Sequence, residues 1–143
     1  MKTDKLKSLS ACRDAVEWVR TQKDYKSAWQ NCERGDWMLF IAFKLKVDDR
    51  KFTMAKAMIA KQVEHLMTDQ RSKDAVQACI DYYNGLITRE QLNAAAAAAA
   101  HADAYDIAKK DSLKRSADIC REYLTDEVLT AYRKLKLNKE NYD

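Results

Sequence analysis

Proline is absent from this 143-residue chain, and glycine occurs only twice. Without proline, the strongest helix breaker is missing. With two isolated glycines, a glycine-rich phosphate loop is excluded. Histidine also occurs only twice, as His65 and His101, and neither has a His or Cys three or four residues away. A zinc-type ligand pair is therefore not expected, and no metal or cofactor is expected either. The four cysteines, Cys12, Cys32, Cys79 and Cys120, form no C-x-x-C pair. They sit among apolar residues, so reduced core thiols are expected rather than disulfides. Long apolar runs are missing too. The longest, Trp37 to Phe43, is too short to cross a bilayer, and no apolar stretch follows Lys2, Lys5 and Lys7 as a secretory signal requires. The expected location is cytoplasmic, with no membrane partner.

What is abundant is Ala, Leu, Lys, Glu, Gln, Arg and Met, side chains that lose little freedom in a helix. The composition points to an all-α protein. Its 26 basic and 22 acidic side chains leave a net charge of +4, spread along the whole chain. That balance permits nucleic acid as a partner without demanding it. A chain of this length is expected to form one domain, 1–143, burying roughly 68–70% of its unfolded surface. About nine residues at the start and about six at the end are expected to fray.

The periodicity predicts a single bundle of six to seven helices. Cys12, Ala15, Val16, Trp18 and Val19 make the stripe of a first helix, with Ser10 as N-cap. Tyr25, Ala28, Trp29 and Cys32 mark a second, which Gly35 ends in a left-handed conformation. Asp36 is then expected to cap a third, Trp37 to about Lys46, apolar on nearly every side and so placed at the centre. After a charged loop, Thr53 opens a fourth helix, with Ala55, Met58, Ile59, Gln62 and Leu66 on one face. Ser72 caps a fifth, which Gly85 closes with Leu86 as the apolar residue of a Schellman motif. Thr88 and Gln91 form a capping box. The helix that follows carries seven alanines, Ala94 to Ala100, and is expected to be the central, tightly contacted one, with His101, Asp103 and Asp106 on its polar side. A break is expected near Lys110–Ser112 and a last helix capped by Thr125.

No catalytic constellation can be assembled, and a non-enzyme is expected. His65 reads best as a structural helix histidine. Cys120 precedes Arg121, a weak reason for a lowered thiol pKa. Arg34-Gly35-Asp36 has the spelling of an adhesion tripeptide but lies between two tryptophan-bearing helices. Arg34 is placed to stack on an indole or pair with a carboxylate. Lys44, Lys46, Arg50, Lys51, Lys56 and Lys61 form the densest basic segment, without evident exposed aromatics beside them. Asp118, Glu122 and Asp126 recur every four residues and would form an acidic ridge on a continuous helix. Tyr25, Tyr82, Tyr105, Tyr132 and Tyr142, several of which fall off the apolar stripes, are candidate interface anchors.

One ordered set of residues carries a family resemblance. Ala11-Cys12, Trp18, Ala28-Trp29, Cys32 and Arg34-Gly35-Asp36-Trp37-Met38-Leu39 resemble the opening of a group of bacterial and prophage immunity proteins, the Imm-5-like group. His65-Leu66-Met67, Arg71-Ser72, Gly85 and Ala117-Asp118-Ile119-Cys120-Arg121 continue the resemblance, which spans roughly residues 11 to 124. It implies a helical protein that neutralises a cognate toxin by binding it, with no family catalytic motif to transfer. Arg34, Asp36, His65, Arg71, Asp118 and Glu122 are the candidate partner-binding residues. The alternative is a mobile-element regulator that binds nucleic acid through residues 44–61. An exposed alanine-rich face would favour a dimer.

Overall fold

The computed structural model describes residues 1–99 and 110–136. His101, Asp103, Tyr105, Asp106 and Tyr142 lie outside that range. The described residues contain no strand. In chain order they form α1 (Asp4–Ser8), α2 (Arg13–Arg20), α3 (Tyr25–Asn31), α4 (Gly35–Lys44), α5 (Asp49–Lys61), α6 (Gln70–Tyr83), α7 (Arg89–Ala99) and α8 (Lys110–Lys134), with a 3-10 turn at Glu64–Leu66. This is the all-α bundle that the composition implies.

Aspartate, more than serine or threonine, starts the helices. Asp24 accepts from the Ser27 N–H, Asp48 from that of Lys51 and Asp69 from that of Arg71. Each satisfies an amide that its helix leaves orphaned. The expected caps Ser10, Thr53 and Ser72 therefore fail. Ser10 adopts φ +61° after α1, while Thr53 and Ser72 fall inside α5 and α6. The Thr88–Gln91 box forms as expected, with reciprocal bonds of 2.8 and 3.2 Å. The Schellman closure forms too. Gly85 has φ +75°, the Leu86 N–H donates to the Asp81 carbonyl, and the Gly85 N–H donates to that of Tyr82.

The core is built around α8, which packs against α3, α4 and α5. Ala42, Ala55, Ala117, Cys120 and Leu124 are fully buried where these helices meet. A second apolar cluster joins Leu6, Leu9, Val16, Val19, Ala28 and Tyr132. The first nine residues, expected to fray, thus pack through α1. Lys5 donates from Nζ to the Tyr132 and Arg133 carbonyls at the end of α8, where a cation meets the negative end of the helix.

Three expectations are overturned here. The alanine helix is not central: none of Ala94–Ala99 is buried, and α7 packs chiefly on α6. A run of alanine alone favours the helix but gives it less apolar surface to bury than helices that also carry large apolar side chains. No new helix begins at Thr125, because α8 runs unbroken through it. Its hydroxyl instead donates to the Arg121 carbonyl and accepts from Trp29 Nε1 at 2.8 Å. Gly35 does not end α3 in the left-handed region; it is the first residue of α4. Glycine is required there by proximity. A Cβ on Gly35 would stand 2.3 Å from Ser116 Cβ and 2.7 Å from the Ala117 nitrogen.

Two glycine substitutions separate close approach from backbone strain. Gly35→Ala overpacks the α4–α8 contact and is expected to cost about 3 kcal/mol or more, because backbone rather than a flexible side chain must yield. Gly85→Ala meets nothing within 4 Å and costs only its left-handed φ, about 1 kcal/mol. Urea unfolding of both variants checks the order; equal losses would refute it.

Candidate functional site

The site is built on the start of α4. The α3–α4 connection is short, so Trp29, Cys32 and Arg34 are all placed relative to α8. Arg121 of α8 fixes that connection by donating from Nη1 to the Trp29 and Cys32 carbonyls at 3.1 and 2.7 Å. These are carbonyls at the α3 C-terminus, which the helix itself leaves unpaired. Arg121 also reaches Asp118 at 2.7 Å.

Arg34 makes both contacts open to it. Its Nε and Nη2 form a bidentate pair with Asp36 at 2.8 and 2.7 Å, and its guanidinium stacks 4.5 Å from the Trp37 ring. The Asp36 carboxyl is held below its ordinary pKa, chiefly by the hydrogen bonds from Arg34. Asp36 is therefore an ion-pair partner in the first turn of α4, not the cap that its position after Gly35 suggests; Arg34 occupies the N-cap position without a side-chain cap bond. Trp29 is buried, as expected of a core indole, while Trp37 is only half-buried and stands 6.2 Å from Trp18.

Between α2, α3, α4 and α8 lies a cavity of about 450 Å³. Trp18, Val19, Met38, Ile41 and Leu129 line it together with Cys12, Arg34, Asp36 and Phe40. Cys12 is exposed and Cys79 half-buried, so only Cys32 and Cys120 are the buried thiols expected. Burial pushes both up, Cys120 to about 12. That reverses the activation suggested by Arg121, because desolvation of a thiolate outweighs one nearby cation.

The outer side of α4 is apolar and uncovered. Phe40 is 37% exposed and Phe43 64%, so α4 is not apolar because it is enclosed. Phe43 packs 6.2 Å from Phe52 of α5, Lys44 lies over Phe40, and Lys56 lies over Phe52. The basic segment thus does have exposed aromatics beside it, Phe40 and Phe43. Three of its other cations are engaged: Arg50 stacks on Tyr82, Lys51 pairs with Glu127 and Lys61 with Glu64. The periodicity gave no sign of this face, because an apolar run reads the same whether both sides are covered or one.

The remaining candidates are scattered. Asp118, Glu122 and Asp126 form the expected ridge, all exposed on the continuous α8. His65 is exposed in the 3-10 turn. Arg71 is turned to Asp69, at 2.7 Å. Arg34, His65 and Arg71 therefore stand on separate elements with separate contacts. Tyr82 and Tyr132 are buried rather than free as anchors, and Tyr25 packs on Tyr132. The Tyr82 hydroxyl donates to Asp49, which also receives Arg89 and so ties α5, α6 and α7 together. No group of three or more His, Cys, Asp or Glu among the described residues is placed to hold a metal ion. No helix among them is long and apolar enough to cross a membrane.

Comparison of the chain with family models, with curated proteins and with solved structures gives no significant match.

Arg71 supplies a pH test. Its side chain and backbone N–H hold the Asp69 carboxyl at about 2, below the ordinary 3.8. A depressed carboxyl stabilises the fold above its unfolded pKa, and the contribution disappears as pH falls from about 4 towards 2. In a carboxyl-carbon NMR titration, Asp69 is expected to titrate near 2 and to move upward in Arg71→Ala. An unmoved midpoint would remove Arg71 as the cause.

Proposed function

We propose that this chain is a helical binding protein that neutralises a bacterial toxin by direct contact, as its resemblance to the Imm-5-like immunity proteins implies. One observation carries the reading to a surface: two exposed phenylalanines, Phe40 and Phe43, on one helix with lysines over and beside them. Contiguous exposed aromatic surface is uncommon on isolated proteins, and aromatic anchors dominate binding energy at interfaces. The surrounding lysines suit an acidic target. Arg34 and Asp36, at the start of the same helix, are assigned to its rim, while Asp118 and Glu122 on α8 stand as a separate exposed ridge. His65 and Arg71 are given no part in it.

The test takes as partner a toxin encoded beside this chain's own gene, and the absence of any such reading frame counts against the function. Co-expression is expected to restore growth of a toxin-poisoned host. In calorimetry with the purified toxin, Phe43→Ser is expected to weaken binding about tenfold or more. Its urea midpoint should change little. Unchanged affinity overturns the face; absence of protection overturns the function.

The interleaved Phe43, Phe52, Lys44 and Lys56 favour a second reading, single-stranded nucleic acid stacked on the aromatics. With Lys44, Lys46 and Lys56 on the phosphates, affinity would fall roughly twentyfold between 50 and 200 mM salt. A gel-shift titration at those two concentrations decides it, and no shift at low salt discards the reading.

A further inference from the structure

The proposed face makes no use of the two buried thiols, Cys32 and Cys120. They come from distant parts of the chain, the end of α3 and the middle of α8, and meet in one core cluster. The contact at Gly35 brings them together. Cys32 Sγ accepts from the Arg34 N–H at 3.4 Å and donates to the Arg34 carbonyl at 3.6 Å. Cys120 Sγ donates to the next carbonyl along, that of Gly35, at 3.8 Å. Consecutive residues are only ~3.8 Å apart, so sulfurs seated on two such carbonyls are neighbours. Arg121, the residue after Cys120, holds the Cys32 carbonyl itself at 2.7 Å. Burial raises the Cys120 thiol, and a charge on Cys32 raises it further, as close neighbours must.

Cys32, but not Cys120, also lines the cavity, whose lining includes the exposed Cys12 and Phe40. A small oxidant entering there meets Cys32 first. Burial raises the Cys32 thiol, while the Arg34 N–H and the Arg121 charge favour its thiolate. We propose that Cys32 and Cys120 are a redox pair, which a peroxide converts into a disulfide across the α3–α8 contact. The Cys32 sulfur attacks a peroxide oxygen: an S–O bond forms, the O–O bond breaks, and the departing hydroxide takes up the Cys32 proton as water. The Cys120 sulfur then attacks that of Cys32: an S–S bond forms, the S–O bond breaks, and a second water carries off the Cys120 proton. Two electrons pass from the sulfurs to the peroxide. Because both thiols are raised, the pair rests reduced and reacts slowly. Once made, the link closes a long loop and pins the entry to α4 against α8.

Each cysteine falls on its own tryptic peptide, so the pairing can be read directly. The test treats the dilute, folded full chain with hydrogen peroxide, blocks the remaining thiols and maps unreduced peptides by mass spectrometry. The expected product is a monomer lacking two hydrogens, with residues 27–34 joined to 116–121. The same link is expected in the double variant Cys12→Ser, Cys79→Ser, which keeps both buried thiols. Cys120→Ala is expected to stop at a sulfenic acid on Cys32, which dimedone traps; the double variant carries the test if Cys120→Ala does not fold. The linked chain is expected to unfold at higher urea, and dithiothreitol to return the midpoint to that of the reduced chain. A link that includes Cys12 or Cys79, a link that forms only in urea, or no link at all would overturn the pair. An unchanged midpoint would overturn the pinning of α4.

Discussion

The backbones of α4 and α8 touch at Gly35, and the arrangement of the rest follows from that contact. No side chain larger than hydrogen fits between Gly35 and the Ser116–Ala117 backbone. Further along, Ala42, Ala117 and Cys120 keep the helices close, each with no exposed surface. Helices that approach this tightly have little freedom to slide, because every small side chain faces atoms rather than space. Since Gly35 opens α4, its neighbours Arg34, Asp36 and Trp37 are placed by the same contact. Arg121 reinforces it from the other side by holding the carbonyls of Trp29 and Cys32.

The cavity arises beside that contact. Trp29 is drawn towards α8 by its hydrogen bond to Thr125, while Trp37 lies under Arg34 near the surface. Both indoles line the gap, which residues of α1, α2 and the end of α8 also border. Large rings fixed by polar anchors pack less freely than aliphatic chains, because moving the ring would break its bond. The opening between α2 and α4 is thus tied to polar anchors made elsewhere.

The helices were legible in the sequence because their apolar spacing is regular and helix breakers are nearly absent. The T-x-x-Q box and the Gly85 closure were legible because each is a local motif whose residues satisfy one another. Gly35 was not: a glycine between helices looks like a stop, and only the position of Ser116, 81 residues later, reveals an approach too close for Cβ. Thr125 misled in the same way, since a threonine suited to capping can equally bond its own helix and a distant indole. The alanine run misled because low side-chain entropy says that a helix will form and nothing about where it lies. The stacking of Arg34 on Trp37 was readable from adjacency, but the exposure of Phe40 and Phe43 depends on which helices happen to cover α4.

Part of the charge on this protein is settled by pairing, with eight ion pairs among the described residues. Arg34 with Asp36, Arg71 with Asp69, Arg89 with Asp49 and Lys51 with Glu127 are matched across the surface. Exposed pairs of this kind add little to stability, so their main physical effect is to flatten the electrostatic field of a chain whose net charge is only +4. A partner approaching such a surface gains little from long-range attraction. What distinguishes one face from another is then apolar area with lysine at its edge, which α4 offers through Phe40, Phe43 and Lys44. Binding there would be governed mainly by burial and by the rate of dissociation rather than by steering, and modest sensitivity to salt follows from the same pairing.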